Sequence, residues 1–208
     1  MRATIGLINF ASPIVQRLER DVLPTLAHYP DGQFEIICVD NDAAPCQRLI
    51  DCLRGMEVPC RYLWNGGANL QAAASKNQMY ALASHPFFVY LCANHGRMYD
   101  PTWLEDLLLP FQHPQVAMAG MLDRYPLKHI GEGEGNGIYV QGGVLAARVE
   151  VMRRLPMSER FPHDHSDKFI SLHLIREGYD LADVTTILSL WRKPIPEKHD
   201  YKYVHGEE

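Results

Sequence analysis

The sequence predicts an α/β fold, a mostly parallel sheet layered between helices. Three observations carry that expectation. Short apolar runs alternate with helix-patterned segments through the first half of the chain, the strand–helix–strand rhythm of a parallel sheet. The best of those runs, residues 87–92, is apolar throughout, as a strand buried on both faces must be. Finally, 208 residues with 47% hydrophobic and 22% charged side chains suit one globular domain and exclude a disordered or fibrous chain.

The elements follow in order. Residues 4–10 read as a first buried strand. Ser12 and Pro13 open a helix, because serine is a good N-cap and proline fits the first helical position. Val15, Leu18, Val22 and Leu26 give that helix one apolar face. Residues 34–39 form a second strand that ends abruptly in Asp40, Asn41 and Asp42. Residues 45–54 form a short helix closed by Gly55. A third strand over 60–64, an alanine-rich helix over 70–83 and a fourth strand over 87–92 complete the first half. Thr102 and Glu105 have the spacing of a capping box that starts another helix.

The second half is less regular. It predicts a strand over 116–121, a Gly/Glu loop over 131–137, a strand over 139–147 and a helix over 148–155. An amphipathic helix spans 166–177, with Phe169, Ile170 and Leu174 toward the core and Gly178 as its stop. A last strand covers 181–188, and from 193 onward the chain reads as a polar tail.

Charge and cysteine usage narrow the function. A net charge of −5 argues against a sequence-blind nucleic-acid binder, while leaving room for a local anion pocket. The five cysteines, at 38, 46, 52, 60 and 92, contain no C-x-x-C pair, which excludes a zinc ribbon and a thioredoxin-like motif. Reduced thiols fit a cytoplasmic protein. The N-terminus enters a strand directly and lacks the pattern of a signal peptide, and the longest apolar run is too short to span a bilayer.

In open α/β sheets ligands bind at the carboxyl ends of the strands, so the polar residues there are the first candidates. Asp40-Asn41-Asp42 is either a plain turn or a site for a nucleotide base or ribose. The Gly66-Gly67 loop leads into the alanine-rich helix, from which Lys76 and Asn77 could reach a ligand. Asn94 and His95 are possible metal ligands, too few to make a site by themselves. The glycine-rich segment 131–137 carries two glutamates and lacks the Lys-Ser/Thr ending, so it is read as a mobile loop or lid and not as a phosphate loop. His163-Asp164-His165-Ser166-Asp167 matches H-x-H-x-D of metallo-β-lactamase-like hydrolases without the final His. It equally reads as a helix start, where the dipole favours negative charge.

Five segments, taken in chain order, are similar to one family. The strand from Glu35 ends in Asp40-Asn41. Asn69 to Asn77 resembles N-x-G-x-A-x-A-x-N, with Gln71 in place of the glycine. Pro101-Thr102-Trp103-Leu104 is similar to P-x-W-L. Gly142-Gly143 followed by Arg148 resembles G-G-x-x-x-x-R. Ser166-Asp167, Leu172 and Arg176-Glu177-Gly178-Tyr179 resemble E-D…L…R-x-G-Y. Together they resemble the GT-A fold glycosyltransferases of the large family 2 type, from about residue 4 to residue 192.

That resemblance implies a GT-A-like (Rossmann-like) three-layer fold with a mostly parallel mixed central sheet. It implies one domain over 1–192, with a nucleotide-binding half (1–100), an acceptor half (101–192) and a tail at 193–208. The implied activity is transfer of a sugar from a nucleotide-sugar donor to an acceptor hydroxyl, with inversion. Asp167 would be the catalytic base and Asp164 its rival. Asn9, Asp40, Asn41, Asn69, Lys76 and Asn94 would bind the nucleotide, and Gly142, Gly143 and Trp191 the substrate. The family's metal-gripping D-x-D reads here Cys92-Ala93-Asn94, with no carboxylate. Dependence on Mn or Mg is therefore expected to be weak, with His95 as the candidate ligand and Lys76 or Arg97 as a substitute cation. Other readings stay open: a catalytically inactive nucleotide-sugar binder, a nucleotidyltransferase on a related sheet, or a metallohydrolase built on 163–167.

Overall fold

A computed structural model describes residues 2–10, 12–26, 33–92, 102–161, 165–185 and 202–204. Four strands lie parallel in the order β3-β2-β1-β4: β1 (Ala3–Asn9), β2 (Phe34–Asp40), β3 (Cys60–Trp64) and β4 (Phe87–Leu91). Side chains alternate across a strand, so an apolar residue at every position means a core on both faces. Ile5, Leu7, Ile36, Cys38, Val89 and Leu91 enter one core, while Ile37, Val39, Phe88 and Tyr90 enter the other.

Helices cover both faces. On the first lie α1 (Ser12–Arg17), which continues through a π-helical turn (Leu18–Val22) into α2 (Leu23–Leu26), with α3 (Gln47–Arg54) and α5 (Trp103–Leu108). Val15, Leu18, Val22 and Leu26, the face expected from spacing, are all buried there. On the second face lie α4 (Gln71–Leu82), α6 (Val149–Arg154) and α7 (Ser166–Arg176). Gly6 in β1 keeps that face flat, because a Cβ there would stand 2.1 Å from Phe88 Cζ.

The second half completes an eight-stranded sheet, β3-β2-β1-β4-β6-β5-β7-β8. β5 (Val116–Pro126) and β6 (Asn136–Arg148) form an antiparallel pair, and β6 lies antiparallel beside β4. β7 (Asp180–Asp183) runs parallel to β5, and β8 (Lys202–Val204), inside the segment read as a tail, pairs with β7. The central β4 is therefore parallel on one side only. Arg148 fastens the seam by donating to the carbonyls of Phe111, His113 and Val116.

Several local expectations need correction. The loop over 131–137 is shorter than expected, since β6 already begins at Asn136. Gly131, Gly133 and Gly135 turn the chain with φ of 76, 92 and 108°, and Glu132 pairs with Arg176 of α7 at 2.8 Å. Thr102 makes no side-chain cap hydrogen bond; its hydroxyl donates to Asp106 Oδ2 at 3.1 Å, so there is no capping box. Gly55 ends α3 at φ −76°, without the left-handed turn that favours glycine. On α7 the buried positions are Ser166, Ile170, Ser171 and Leu174, while Phe169 is only half-buried against Phe161. Among the described residues no helix is long and apolar enough to cross a membrane.

Candidate active site

The chain leaves β1 for β2 on one side and returns to β4 on the other. In open α/β sheets such a reversal marks the crevice where ligands dock, outside the carboxyl ends of the strands. Asn9 and Asp40 are register partners at its floor. Asn9 Nδ2 donates to Asp40 Oδ1 at 2.9 Å. A carboxylate only accepts, so the amide's orientation is fixed and Asn9 Oδ1 is turned away, buried and without a hydrogen-bond partner. Asp40 Oδ1 also accepts from Asp42 N at 3.0 Å, and Oδ2 from Cys46 N at 3.0 Å and from the Tyr62 hydroxyl. Burial and the neighbouring Asp40 carboxylate push the Tyr62 phenol far up, so it stays a donor. Asp40 thereby shapes the turn over 41–46 from beneath.

Asn41 is equally committed. Its Nδ2 donates to Ser75 Oγ at 2.8 Å, and its Oδ1 accepts from Asn65 Nδ2 at 2.8 Å. Gln78 Nε2 extends the ladder to Asn65 Oδ1 at 3.1 Å. These side-chain bonds tie α4 to the ends of β2 and β3. Asn69 Oδ1 accepts from Gln71 N at 2.9 Å and so shapes the start of α4, where Gln71 stands at φ 62°. Asn77 faces away from the crevice: its amide clamps Met157 through both N–H and C=O at 2.9 Å.

The two halves meet at Gly142. Lys76 on α4 is 2% exposed, and its Nζ lies 3.5 Å from Gly142 O and 4.3 Å from the centre of the Tyr90 ring. Burial pulls its ammonium down to about 8, against the attraction of Asp167. Asp167, in the first turn of α7, accepts from Gly142 N on Oδ2 at 3.0 Å and from Lys168 N on Oδ1 at 2.9 Å. A Cβ on Gly142 would stand 3.3 Å from Asp167 Oδ2 and 3.4 Å from Lys76 Nζ. A side chain here would touch both charged groups, so the glycine lets them sit this close to the strand. Gly143 O accepts from Cys92 N at 2.9 Å, which carries the β4–β6 ladder to the mouth of the crevice.

The remaining candidates separate. Asp164, Asn94, His95, Arg97 and Trp191 lie outside the described residues. His165 stands at φ 72°, with Nδ1 2.9 Å from Lys168 Nζ and its ring stacked on His129. It therefore turns toward Lys168 and His129, and among the described residues no three His, Cys, Asp or Glu side chains converge as a metal site. Asp123 sits at the rim, accepting from Tyr139 and Gln141 at 3.4 and 3.3 Å. Phe10 and Trp64, outside the set of residues expected from sequence, stand at the ends of β1 and β3 on either side of β2 and are 52% and 43% exposed. A large aromatic at the end of an apolar run is the sequence signal for both.

No protein-family model and no curated protein sequence matches the chain. Solved structures do. The mannosyltransferase PcManGT from Pyrobaculum calidifontis, in complex with GDP-Man and Mn2+, superposes with a TM-score of 0.64 at 14% identity. The match covers 86% of this chain and 53% of that one. S. aureus TarS 1-349 in complex with UDP matches with a TM-score of 0.58 at 11% identity, covering 84% of this chain and 55% of that one. Its complex with UDP-GlcNAc matches with a TM-score of 0.53 at 10% identity, over 74% and 47%. The chain thus spans about half the length of these structures. The likeness is one of fold: α/β, three-layered, with the Rossmann-like, GT-A-like sheet.

Proposed function

We propose that this chain is a glycosyltransferase that moves a sugar from a nucleotide-sugar donor to an acceptor hydroxyl, with inversion. The observation that carries the reading is the meeting at Gly142 of Lys76 from the first half and the Asp167 carboxylate from the second. Asp167 there offers a proton acceptor at the point where the first and second halves of the chain join. The fold shared with PcManGT and TarS, whose structures hold GDP-Man, UDP and UDP-GlcNAc, supports the same reading.

The nucleoside would lie across the ends of β1, β2 and β3, in the half spanning 1–100. Phe10 and Trp64 offer ring faces there, and Asn9 Oδ1 offers an acceptor without a partner in the protein. Asp40 and Asn41 shape this floor, and Asn69 orients the start of α4. Asp167 takes the proton from the acceptor hydroxyl as general base. The acceptor oxygen forms its bond to the anomeric carbon while the bond from that carbon to the diphosphate oxygen breaks. The leaving diphosphate keeps the electron pair. Asp167 stands in the first turn of α7, where the helix dipole favours negative charge. Gly142 and Gly143 would let the sugar approach β6 closely. Dependence on a divalent metal is proposed to be weak, since no carboxylate occupies the 92–94 positions.

The test is turnover with a panel of uridine and guanosine diphosphate sugars. Asp167→Asn keeps the shape and removes the base, so turnover should fall about 10²–10⁴-fold while donor affinity is largely kept. An Asp167→Asn enzyme that turns over at the wild-type rate would remove Asp167 from the chemistry.

A further inference from the structure

Lys76 is costly to bury, and nucleotide binding does not account for its surroundings. It belongs to α4, yet its ammonium lies against Gly142 O on β6 and the Tyr90 ring on β4, and it feels the charge of Asp167 on α7 without a direct ion pair. The Gly142 backbone serves both groups, its N–H donating to Asp167 Oδ2 at 3.0 Å and its C=O accepting from Lys76 Nζ at 3.5 Å. Both charged atoms lie within 3.4 Å of the single point that a Gly142 Cβ would occupy. An apolar side chain of the same length would fill this place more stably, since a buried charge carries a desolvation penalty.

We propose that Lys76 is a positioning residue that works through Asp167: its ammonium, bonded to the Gly142 carbonyl, fixes the Gly142 backbone whose N–H holds the carboxylate, in one arrangement across the α4–β6–α7 seam. The inference rests on Asp167 being the base of the transferase proposed above. With the carboxylate so held, the acceptor hydroxyl meets it in one orientation. The hold lasts while Nζ is protonated and is lost as pH rises through about 8, the value to which burial has drawn the ammonium. The titratable groups facing the pair are Tyr90 and Cys92 on β4 and its end, Tyr125 on β5, Tyr139 on β6, and Lys168 on α7. Burial pushes the three phenols up, Tyr125 to about 12. Cys92 stands beside Lys76 at the end of β4, so a Cys92 variant serves as the control.

The experiment follows the ¹⁵N–¹H resonance of the Gly142 amide from pH 6 to 10 in the whole chain, with kcat and KM for the nucleotide-sugar donor measured alongside. Wild type should show one transition of that amide near pH 8, with kcat falling through the same range. Cys92→Ser should keep both. Lys76→Arg retains charge far above pH 10, so it should abolish the amide transition and the alkaline fall. Lys76→Met should give a pH-independent amide at a shifted position. Its kcat should drop about 10–100-fold with donor KM nearly unchanged, as a misplaced base predicts. It should also melt higher than wild type at pH 7, which a merely structural lysine would not. Absence of the transition in wild type, its survival in Lys76→Arg, or a Lys76→Met kcat within about twofold of wild type overturns the proposal. If the chain transfers sugar from no donor in the panel, the transferase reading falls, and the amide titration still decides whether Lys76 holds this seam.

Discussion

Asp40 gives both carboxylate oxygens to the protein: Asn9 and Asp42 on one, Cys46 and Tyr62 on the other. Its first duty is therefore to hold the turn over 41–46. Asp40→Ala leaves buried donors without an acceptor, and the fold should lose about 3 kcal/mol, a drop of roughly 6–12 °C in melting temperature. Thermal denaturation checks this; weakened nucleoside diphosphate binding without a change in melting would instead put the carboxylate against the ligand. Glu35 is a second buried carboxylate, and it bears on acid stability. Burial raises its pKa, but hydrogen bonds from Thr4 Oγ1 and Ser84 N and the Arg61 guanidinium outweigh that and leave it below the ordinary 4.5. Its contribution is fully present above that value and is lost as pH falls below it. Glu35→Gln should lower stability at pH 7 and flatten the acid side of the stability–pH curve, as read by urea denaturation at a series of pH values.

Among the elements, the start of α4 shows the link from motif to backbone most plainly. Gln71 occupies the position where the resembling family has glycine, and its φ is 62°, a conformation glycine adopts without cost. Its Oε1 is also buried without a partner. Gln71→Gly should therefore stabilise the fold by about 0.5–1 kcal/mol, visible as a rise in melting temperature. A fall would mean that the glutamine's packing outweighs the strain. The residue types at this helix start were legible in sequence; that Gln71 bears a left-handed strain was not. In the same way Thr102 and Glu105 had the spacing of a capping box, but the threonine hydroxyl bonds Asp106 instead. Spacing allowed both partners, and the local backbone chose between them.

At the scale of the whole molecule, the crevice should bind a nucleoside diphosphate in EDTA. In a thermal-shift series with UDP, GDP, ADP and CDP, one base should raise the melting temperature, and added Mn²⁺ should change that shift little. At 100 times the dissociation constant, binding contributes about 2.7 kcal/mol. Stabilisation that appears only with Mn²⁺ would make the residues after β4 a metal site despite the missing carboxylates. The sequence by itself determined the strands of the first half. β1, β2 and β4 lie within about a residue of their expected bounds, because a strand buried on two faces must be apolar at successive positions, and the edge strand β3 matches both of its bounds although no residue in it is buried. It also determined that Asp167 opens a helix, since α7 begins at Ser166 and stops at Gly178, where φ is 82°. Only the tertiary structure decided that β6 runs antiparallel between β4 and β5, that Asp40 is saturated from within, and that Lys76 meets Gly142 across 66 residues of chain. The physical reason is one of range. Apolar periodicity and turn chemistry act over a few residues and are written locally, whereas strand register and the pairing of buried charges are set through space, where any donor brought near may claim a carboxylate.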